Sequence, residues 1–561
     1  LKHGTTATLK IKSHVKRITG VITLITLFLT PLACSRSYVN EAQLTQTAIA
    51  YTPLVINTVA PSDTPAPSDT PDPTVTVTNT ATETASPTVL TLQDTFTSTA
   101  SVNAPTGNTT PTVAETPTET SIPPIIYYSQ AGDTLPALAV RFGVSPQDVI
   151  SMSPIPNHGL IQPKTLLVIP NRLGETGPNQ LAMPDSEVVY SPSAIGFDID
   201  SFVNKANGYL KTYREYLDNG WYTGAQVVQR VATENSINPR LLLALLEYQS
   251  HWVTGQPQTI QDTTYPMGYV FNNDQGLYHQ LSWAVSMLSI GYYQWRAGQL
   301  TEMDFDNGQN IRIAPNLNSG TVAVQYLFSQ LIDDPARWAG ALYGDKNFTT
   351  LYTSMFGDPW QRAETVEPLY PPSLTQPTLG LPFPVGETWA FTGGPHYAWG
   401  PGGALAAVDI APSSSESGCY TSDDWVTAMG PGVVIRADNG AVMVDMDGDG
   451  HEQTGWDILY LHVATRDRVK VGTIVETNDH IGHPSCEGGE ATGDHVHVAR
   501  KYNGEWIAAD GPLPFVISGW TVHAGNAPYI GTMTKGGQTV TANSYGDHES
   551  LITRPIETPT P

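Results

Sequence analysis

Between about Tyr51 and Pro124 the chain has no Lys or Arg and consists mainly of Thr, Pro, Ser, Ala and Val, with scattered acids and almost no aromatic residues. Such a segment cannot bury enough apolar surface to offset the entropy of ordering it, so the reading over 35–124 is a disordered Thr/Pro-rich stalk. Extended like polyproline II at about 3.1 Å per residue, it would reach on the order of 200 Å at most. Folded structure is therefore expected beyond it, and the remainder of the 561 residues exceeds one hydrophobic core.

Ahead of the stalk, Lys2 to Arg17 carries five basic residues and no acid, and Ile18 to Leu29 is apolar apart from Thr and Gly. That layout is the one expected of a secretory signal over 1–34. Its apolar run falls short of the roughly 20 residues that cross a bilayer comfortably. The stretch Leu29-Thr-Pro-Leu-Ala-Cys34 resembles a lipoprotein processing site, with Pro31 where an aliphatic residue is usual. An exported protein follows, touching membrane only through the signal or a lipid on Cys34, with a plain cleaved signal and an uncleaved anchor as alternatives. If lipid consumes Cys34, Cys419 and Cys486 remain as a pair, and outside the cytoplasm such a pair is most simply a disulfide.

Acids outnumber bases 52 to 27, a formal charge of −25. Phosphate backbones need a basic surface, so nucleic acid is excluded as a partner.

Order is expected to resume at Tyr127-Tyr-Ser-Gln-Ala-Gly-Asp133-Thr-Leu135 and to close at Leu166-Leu-Val-Ile-Pro170. The pattern reads strand, turn, short helix, second helix, strand. Residues 125–171 resemble a LysM module, a βααβ unit, and the resemblance implies binding of N-acetylglucosamine-containing glycan. A linker is expected over 172–194.

From 195 to 370 the reading is all-α. Its central helix is Asn238-Pro239-Arg-Leu-Leu-Leu-Ala-Leu-Leu246-Glu247-Tyr-Gln249-Ser250, with Pro in the first turn, where its missing N–H costs nothing. The region resembles a lysozyme-like, lytic-transglycosylase-related domain, whose hallmark helix ends in Glu-Ser. Gln249 stands where that family has its acid, and an amide cannot protonate a departing glycosidic oxygen. Glu247 lies about 200° around the helix from Gln249 and should face elsewhere. An inactive sugar-binding or structural domain is expected, unless Glu234 or Glu302 lines the groove.

Beyond residue 370 short alternating strands separated by Gly, Pro and Asn turns predict an all-β antiparallel domain over 371–535, followed by a tail, 536–561. Three segments carry chemistry: Gly393-Gly-Pro-His396, Ala406-Ala-Val-Asp409-Ile and Gly493-Asp-His495-Val-His497-Val. Alternate strand residues share a face, so His495 and His497 project side by side. Together the segments resemble the lysostaphin-type zinc endopeptidases, specifically the β-lytic, staphylolysin-like branch, in which the first His lies on a glycine-rich turn well upstream of the Asp. The resemblance implies one Zn2+ held by His396, Asp409 and His497 with a fourth position for water. It also implies His462, in Ile458-Leu-Tyr-Leu-His462, and His495 as catalytic histidines for proton transfer and oxyanion or leaving-group stabilisation.

Asp445-Met-Asp447-Gly-Asp449-Gly450 has the spacing of a calcium loop, although Trp456 replaces the closing Glu. Ca2+ at Asp445, Asp447 and Asp449 is weighed against a plain acidic turn. His451, His480 and His483 read as surface histidines. The combined expectation is an exported zinc endopeptidase cutting the stem-peptide or cross-bridge bonds of peptidoglycan while LysM holds the glycan. The alternatives are a non-catalytic wall-binding or regulatory protein, and a bifunctional hydrolase that also cleaves glycan.

Overall fold

The computed structural model describes residues 122–218, 220–413 and 418–556; the expected signal segment, Cys34 and the stalk up to residue 121 lie outside the described residues. No helix among the described residues is long and apolar enough to cross a membrane.

The N-terminal module begins with strand β1 (Ile125–Tyr128). Helix α1 (Leu135–Phe142) starts where the Thr134 side chain accepts from the Ala137 N–H, and stops at Gly143 with φ 64°. Strands β2 (Ile150–Ser151) and β3 (Leu166–Ile169) complete a three-stranded antiparallel sheet in the order β1-β3-β2. The expected second helix is absent: Pro146–Asp148 makes a single 3-10 turn and β2 follows. Pro154, Pro156 and Pro163 leave no run in which a helix could propagate.

The Gly-Asp-Thr turn of this module is not free. Asp133 pairs with Arg141 at 2.8 Å, and Arg141 donates onward to the Trp295 carbonyl. Gln130 donates to the Asn316 carbonyl, and a Cβ on Gly132 would collide with the Arg296 guanidinium. The module is thus seated on the helical unit by the turn that defines it.

The helical unit comprises α2 (Ile199–Ala206), a hairpin of β4 (Arg214–Leu217) and β5 (Gly220–Thr223), α3 (Gly224–Asn235), α4 (Pro239–Ser250), α5 (Ile260–Thr264) and α6 (Leu277–Ser289). A second hairpin, β6 (Glu302–Asp304) and β7 (Asn310–Arg312), precedes α7 (Ser319–Leu331), α8 (Pro335–Tyr343), α9 (Phe348–Phe356) and α10 (Pro359–Val366). The two hairpins depart from the all-α expectation. Leu241 to Leu246 are all fully buried, so α4 is the central helix and is apolar on every side there. The second half of the expected 172–194 linker belongs to the same core, through Met183, Val188 and Val189.

The C-terminal unit is built on one antiparallel sheet. In chain order its strands, with the short β10–β15 pair beside it, are β8 (Thr388–His396), β9 (Ala407–Pro412), β10 (Val426–Thr427), β11 (Gly432–Asp438), β12 (Ala441–Asp445), β13 (Trp456–Leu461), β14 (Ile474–Val475), β15 (His480–Gly482), β16 (Val496–Tyr502) and β17 (Glu505–Trp506). They are followed by β18 (Val516–Ile517), β19 (Trp520–Ala524), β20 (Gly531–Lys535), β21 (Gln538–Thr541) and β22 (Leu551–Thr553). The main sheet runs β14-β11-β12-β13-β16-β9-β8-β22, and β18 to β21 form a separate meander. The boundary expected at 535 therefore falls short: β21 pairs with β20, and β22 returns to pair with β8 as an edge strand.

Alternation divides the main sheet into two apolar faces. Val408, Val442, Val444, Ile458, Tyr460, Val496 and Val498 point into the β unit's own core. Ala407, Met443, Leu459, Leu461 and Ala499 point the other way and join the core of the helical unit. Asp409 and His497 lie on this second, helix-covered face, at its end.

Candidate metal centre

Strand register brings the candidate ligands together. Gly393 on β8, Asp409 on β9, His497 on β16 and Leu461 on β13 are successive cross-strand partners, so their side chains form one row. A Cβ on Gly393 would lie 2.4 Å from Asp409 Oδ2, so only glycine leaves the carboxylate its place. Pairing of β8 with β9 is irregular between Gly393 and His396, which turns the His396 ring back over Asp409.

His396 Nε2 and His497 Nδ1 are 2.9 Å apart, and each is 3.2 Å from Asp409 Oδ1. All three side chains are buried. The remaining ring nitrogens are committed: His396 Nδ1 is 2.8 Å from the Gly394 carbonyl and His497 Nε2 is 3.0 Å from the Ala398 carbonyl. A carbonyl only accepts, so both protons sit on those outer nitrogens. The inner nitrogens then present lone pairs to each other and to Asp409 Oδ1, which has no hydrogen-bond donor. With both rings neutral, the proximity of the two inner nitrogens is not a hydrogen bond, and three converging lone pairs in a buried site could hold a cation.

Donor chemistry and spacing fit zinc. Two imidazoles and a carboxylate at about 2.0–2.2 Å from a tetrahedral ion would stand roughly 3.3 Å apart. Carbonyl acceptors behind both imidazoles are the outer shell that fixes tautomer and ring orientation in metal sites. Burial acts to raise the Asp409 carboxyl, but His396 and His495 outweigh it and hold it well below the usual carboxylate range. Burial likewise acts to lower the His396 imidazole, and Asp409 outweighs it, leaving that imidazole above its ordinary value. For His497 burial dominates and the imidazole is lowered.

Both other histidines expected at the site are there. His495 Nε2 is 3.6 Å from Asp409 Oδ1, and its ring lies 4.5 Å from that of His462. His495 Nδ1 faces the Gly493 carbonyl at 2.9 Å and His462 Nδ1 the Glu487 carbonyl at 2.9 Å, so each turns an unprotonated Nε2 away from its carbonyl partner. Burial first, then His495 and His497, pushes His462 down to about 3, which keeps it neutral. His462 has φ 65°, a left-handed conformation uncommon outside glycine, and its carbonyl accepts from Ser485 N–H and Oγ–H. Cys486, next along, is bridged to Cys419 with Cα atoms 5.5 Å apart. The expected disulfide thus anchors the segment that orients His462.

Tyr529 was not singled out from the sequence. Its ring stacks on His396 at 4.1 Å, and its backbone carbonyl accepts from Gly394. It sits in an Ala-Pro-Tyr-Ile turn with φ 68°, and no spacing links that turn to the histidine segments. The surface expectation fails for His483, which is buried against Trp425 while His480 stacks on the same indole.

In the helical unit Glu247 is a structural acceptor, taking the Val253 and Thr254 N–H groups and the Thr254 hydroxyl. Glu234 is paired with Arg230 at 2.8 Å and receives Tyr278, while lining a cavity of about 240 Å³ between the helical and β units. Glu302 is exposed on the β6–β7 hairpin.

Three comparisons bear on these units. The family described as "LasA, N-terminal domain" matches residues 181–371, the helical unit for which a lysozyme-like fold was expected. The chain is 25% identical over 366 residues to Protease LasA of Pseudomonas aeruginosa strain UCBPP-PA14, covering 60% of this chain and 78% of the relative. That alignment is longer than the helical or the β unit alone. Over 174 residues it is 25% identical to the β-lytic metalloendopeptidase of Lysobacter enzymogenes, covering 30% of this chain and 94% of the relative. Among solved structures, the deep-sea M23 metalloprotease pseudoalterin is 22% identical and covers 30% of this chain and 96% of its own, with a TM-score of 0.25. Similarity to metalloendopeptidases and a donor set that could hold a cation point in the same direction.

Proposed function

We propose that this chain is an exported zinc endopeptidase that hydrolyses peptide bonds of bacterial peptidoglycan. The observation that carries the reading is the convergence of His396 Nε2, His497 Nδ1 and Asp409 Oδ1, with every competing proton turned outward. His396, Asp409 and His497 would hold zinc, which would supply Lewis acidity and acidify a water toward a pKa of about 7.

The chain's own residues then divide the proton work. His495 presents its Nε2 beside Asp409 and takes the proton of the attacking water. The protonated His495 then returns that proton to the leaving amine, while His462, neutral with its own proton on Nδ1 toward the Glu487 carbonyl, stands with its ring 4.5 Å from that of His495 and helps to position it. Tyr529 covers His396 and restricts water at that side.

Export, with lipid on Cys34, belongs to the same proposal and is supported by the Cys419–Cys486 bridge, which suits an oxidising compartment. Glycan contact by the LysM-like module would use exposed residues such as Ile126, Tyr128, Ile150 and Met152, because its Gly-Asp-Thr turn is covered. Cleavage of glycan by the helical unit is not part of the proposal, since Gln249 lacks a proton to give and Glu247 is fully engaged.

The test is digestion of purified peptidoglycan with and without a chelator, followed by mass analysis. New amines with intact glycan strands, lost on chelation and restored by zinc, are expected. New reducing or anhydro ends, or activity indifferent to the chelator, would overturn the reading.

A further inference from the structure

A cavity of about 240 Å³ lies where α3 of the helical unit faces the β unit. Gln226, Gln229, Arg230 and Thr233 line it at the i, i+3, i+4 and i+7 positions of α3, so one face of that helix forms a wall. Trp399, in the β8–β9 loop, and Asn439, in the β11–β12 turn, complete the lining from the β unit. Arg230 is fixed in place: it pairs with Glu234 at 2.8 Å and Asp218 at 2.7 Å, and its guanidinium lies 5.5 Å from the Tyr222 ring and 4.9 Å from the Tyr278 ring. The helical wall is therefore preorganised for a ligand.

The chemistry of the lining decides what fits. Its charged residues cancel, Arg230 and Arg436 against Glu234 and Asp438, and Arg436 is itself paired with Glu452 at 3.3 Å. A charged ligand finds no uncompensated partner there. The side-chain amides of Gln226, Gln229 and Asn439 each donate and accept, the Trp399 and Tyr222 rings are flat and amphipathic, and aliphatic surface among the described residues comes from Ala441 alone. A pyranose, with an apolar C–H face and a rim of hydroxyl and acetamido groups, matches that set. An extended peptide would need an open strand edge, and β11 and β12 are paired on both sides. The volume falls below the roughly 300–1,000 Å³ of sites for whole small molecules, and so suits one ring.

We infer that this cavity binds one neutral, N-acetylated sugar residue of the glycan, an inference that rests on the peptidoglycan reading. Its place beside the histidine site gives the binding a use. Trp399 follows Ala398, whose carbonyl accepts from His497 Nε2. Asn439 precedes Gly440, whose carbonyl accepts from the N–H of Val463, the residue after His462. A sugar seated here therefore lies against both backbone segments that orient these histidines. Holding the sugar raises the local concentration of the peptide attached to the glycan, even where the sugar contact is weak. No glycosidic bond is broken in this role, and Glu234 serves as part of the wall, engaged by Arg230 and Tyr278.

The experiment titrates N,N′-diacetylchitobiose, a neutral acetamido disaccharide without peptide, into the full chain by calorimetry. Expected is a saturable site that survives in Tyr128→Ala, where the LysM-like module has lost an exposed contact. Affinity for it should fall about tenfold in Trp399→Ala and about threefold in Gln226→Ala and Asn439→Gly. Gln226 is exposed on a helix, and Asn439→Gly keeps the left-handed backbone found there at φ 44°, so these two variants should fold even if Trp399→Ala does not. Absence of disaccharide binding in Tyr128→Ala, or unchanged affinity in the folded cavity variants, would overturn the inference. Displacement of the disaccharide by trialanine, dependent on the same residues, would make the cavity a peptide subsite and overturn it equally. The readout is binding of a sugar that carries no peptide, so failure here is separable from failure of the peptidase reading.

Discussion

Arg296 of the helical unit and Glu505 of the β unit form a buried ion pair, Nε to Oε1 at 2.8 Å. Asp185 approaches the same guanidinium at 3.1 Å, and Tyr292 donates to Glu505 at 2.8 Å. The β8–β9 loop is seated beside this seam: a Cβ on Gly402 would strike the Ser286 carbonyl, and one on Gly400 would touch Asn235. That loop includes Ala398, whose carbonyl orients His497, so the helical unit supports the His396–Asp409–His497 group through backbone it holds in place.

Removing one partner of a buried pair strands the other. Arg296→Met should destabilise the chain by about 3–5 kcal/mol in urea unfolding, with Arg296→Met/Glu505→Gln recovering part of the loss. A loss under about 1 kcal/mol would show that the seam is held by its apolar contacts alone.

Stability should fall as pH rises through the range set by Glu367. Burial first, then the Asp185 charge, raises its carboxyl from 4.5 to about 7. Between those values the folded chain keeps a proton that the unfolded chain has released, so the contribution is fully present below about 4.5 and lost as pH passes 7. Glu367→Gln retains an acceptor for the Ser186 N–H and should flatten this slope, each tenfold difference in proton affinity between the folded and unfolded chains being worth about 1.4 kcal/mol. Denaturant titrations at pH 5 and pH 8 check it.

Much of the candidate metal centre was legible because its residues announce themselves in segments: a glycine turn before His396, an apolar strand around Asp409 and a paired-histidine strand. Spacing alone did not show which nitrogen of each ring faces inward, since that depends on the Gly394 and Ala398 carbonyls. Tyr529 was illegible for a similar reason, because it reaches His396 only through the fold. Periodicity placed α4 and the main strands. It overextended the LysM-like module, where prolines stop the second helix, and it ended the β unit early, because β22 returns from far along the chain to pair with β8.

Breaking the Cys419–Cys486 bridge should affect both stability and turnover. Cys419→Ser/Cys486→Ser removes a crosslink spanning 67 residues and should cost about 2–4 kcal/mol. Because Glu487 orients His462, kcat should fall while bound zinc stays at one per chain. Metal analysis beside steady-state kinetics separates the two effects.

Adding one methyl group at Gly393 should damage the centre without unfolding the sheet. Its Cβ would press on Asp409 Oδ2, so Gly393→Ala should weaken zinc binding at least tenfold while overall stability changes by about 1–3 kcal/mol. Competition with a calibrated zinc chelator gives the affinity, and urea unfolding the stability.

The most direct measurement is zinc stoichiometry with X-ray absorption at the zinc edge, on the parent chain and on His396→Ala. The expected result is one zinc per chain with two imidazole nitrogens and carboxylate oxygen at about 2.0–2.2 Å, and loss of the tightly bound ion in the variant. Zinc retained in His396→Ala with an unchanged spectrum would place the metal elsewhere and remove the basis for hydrolysis at this site.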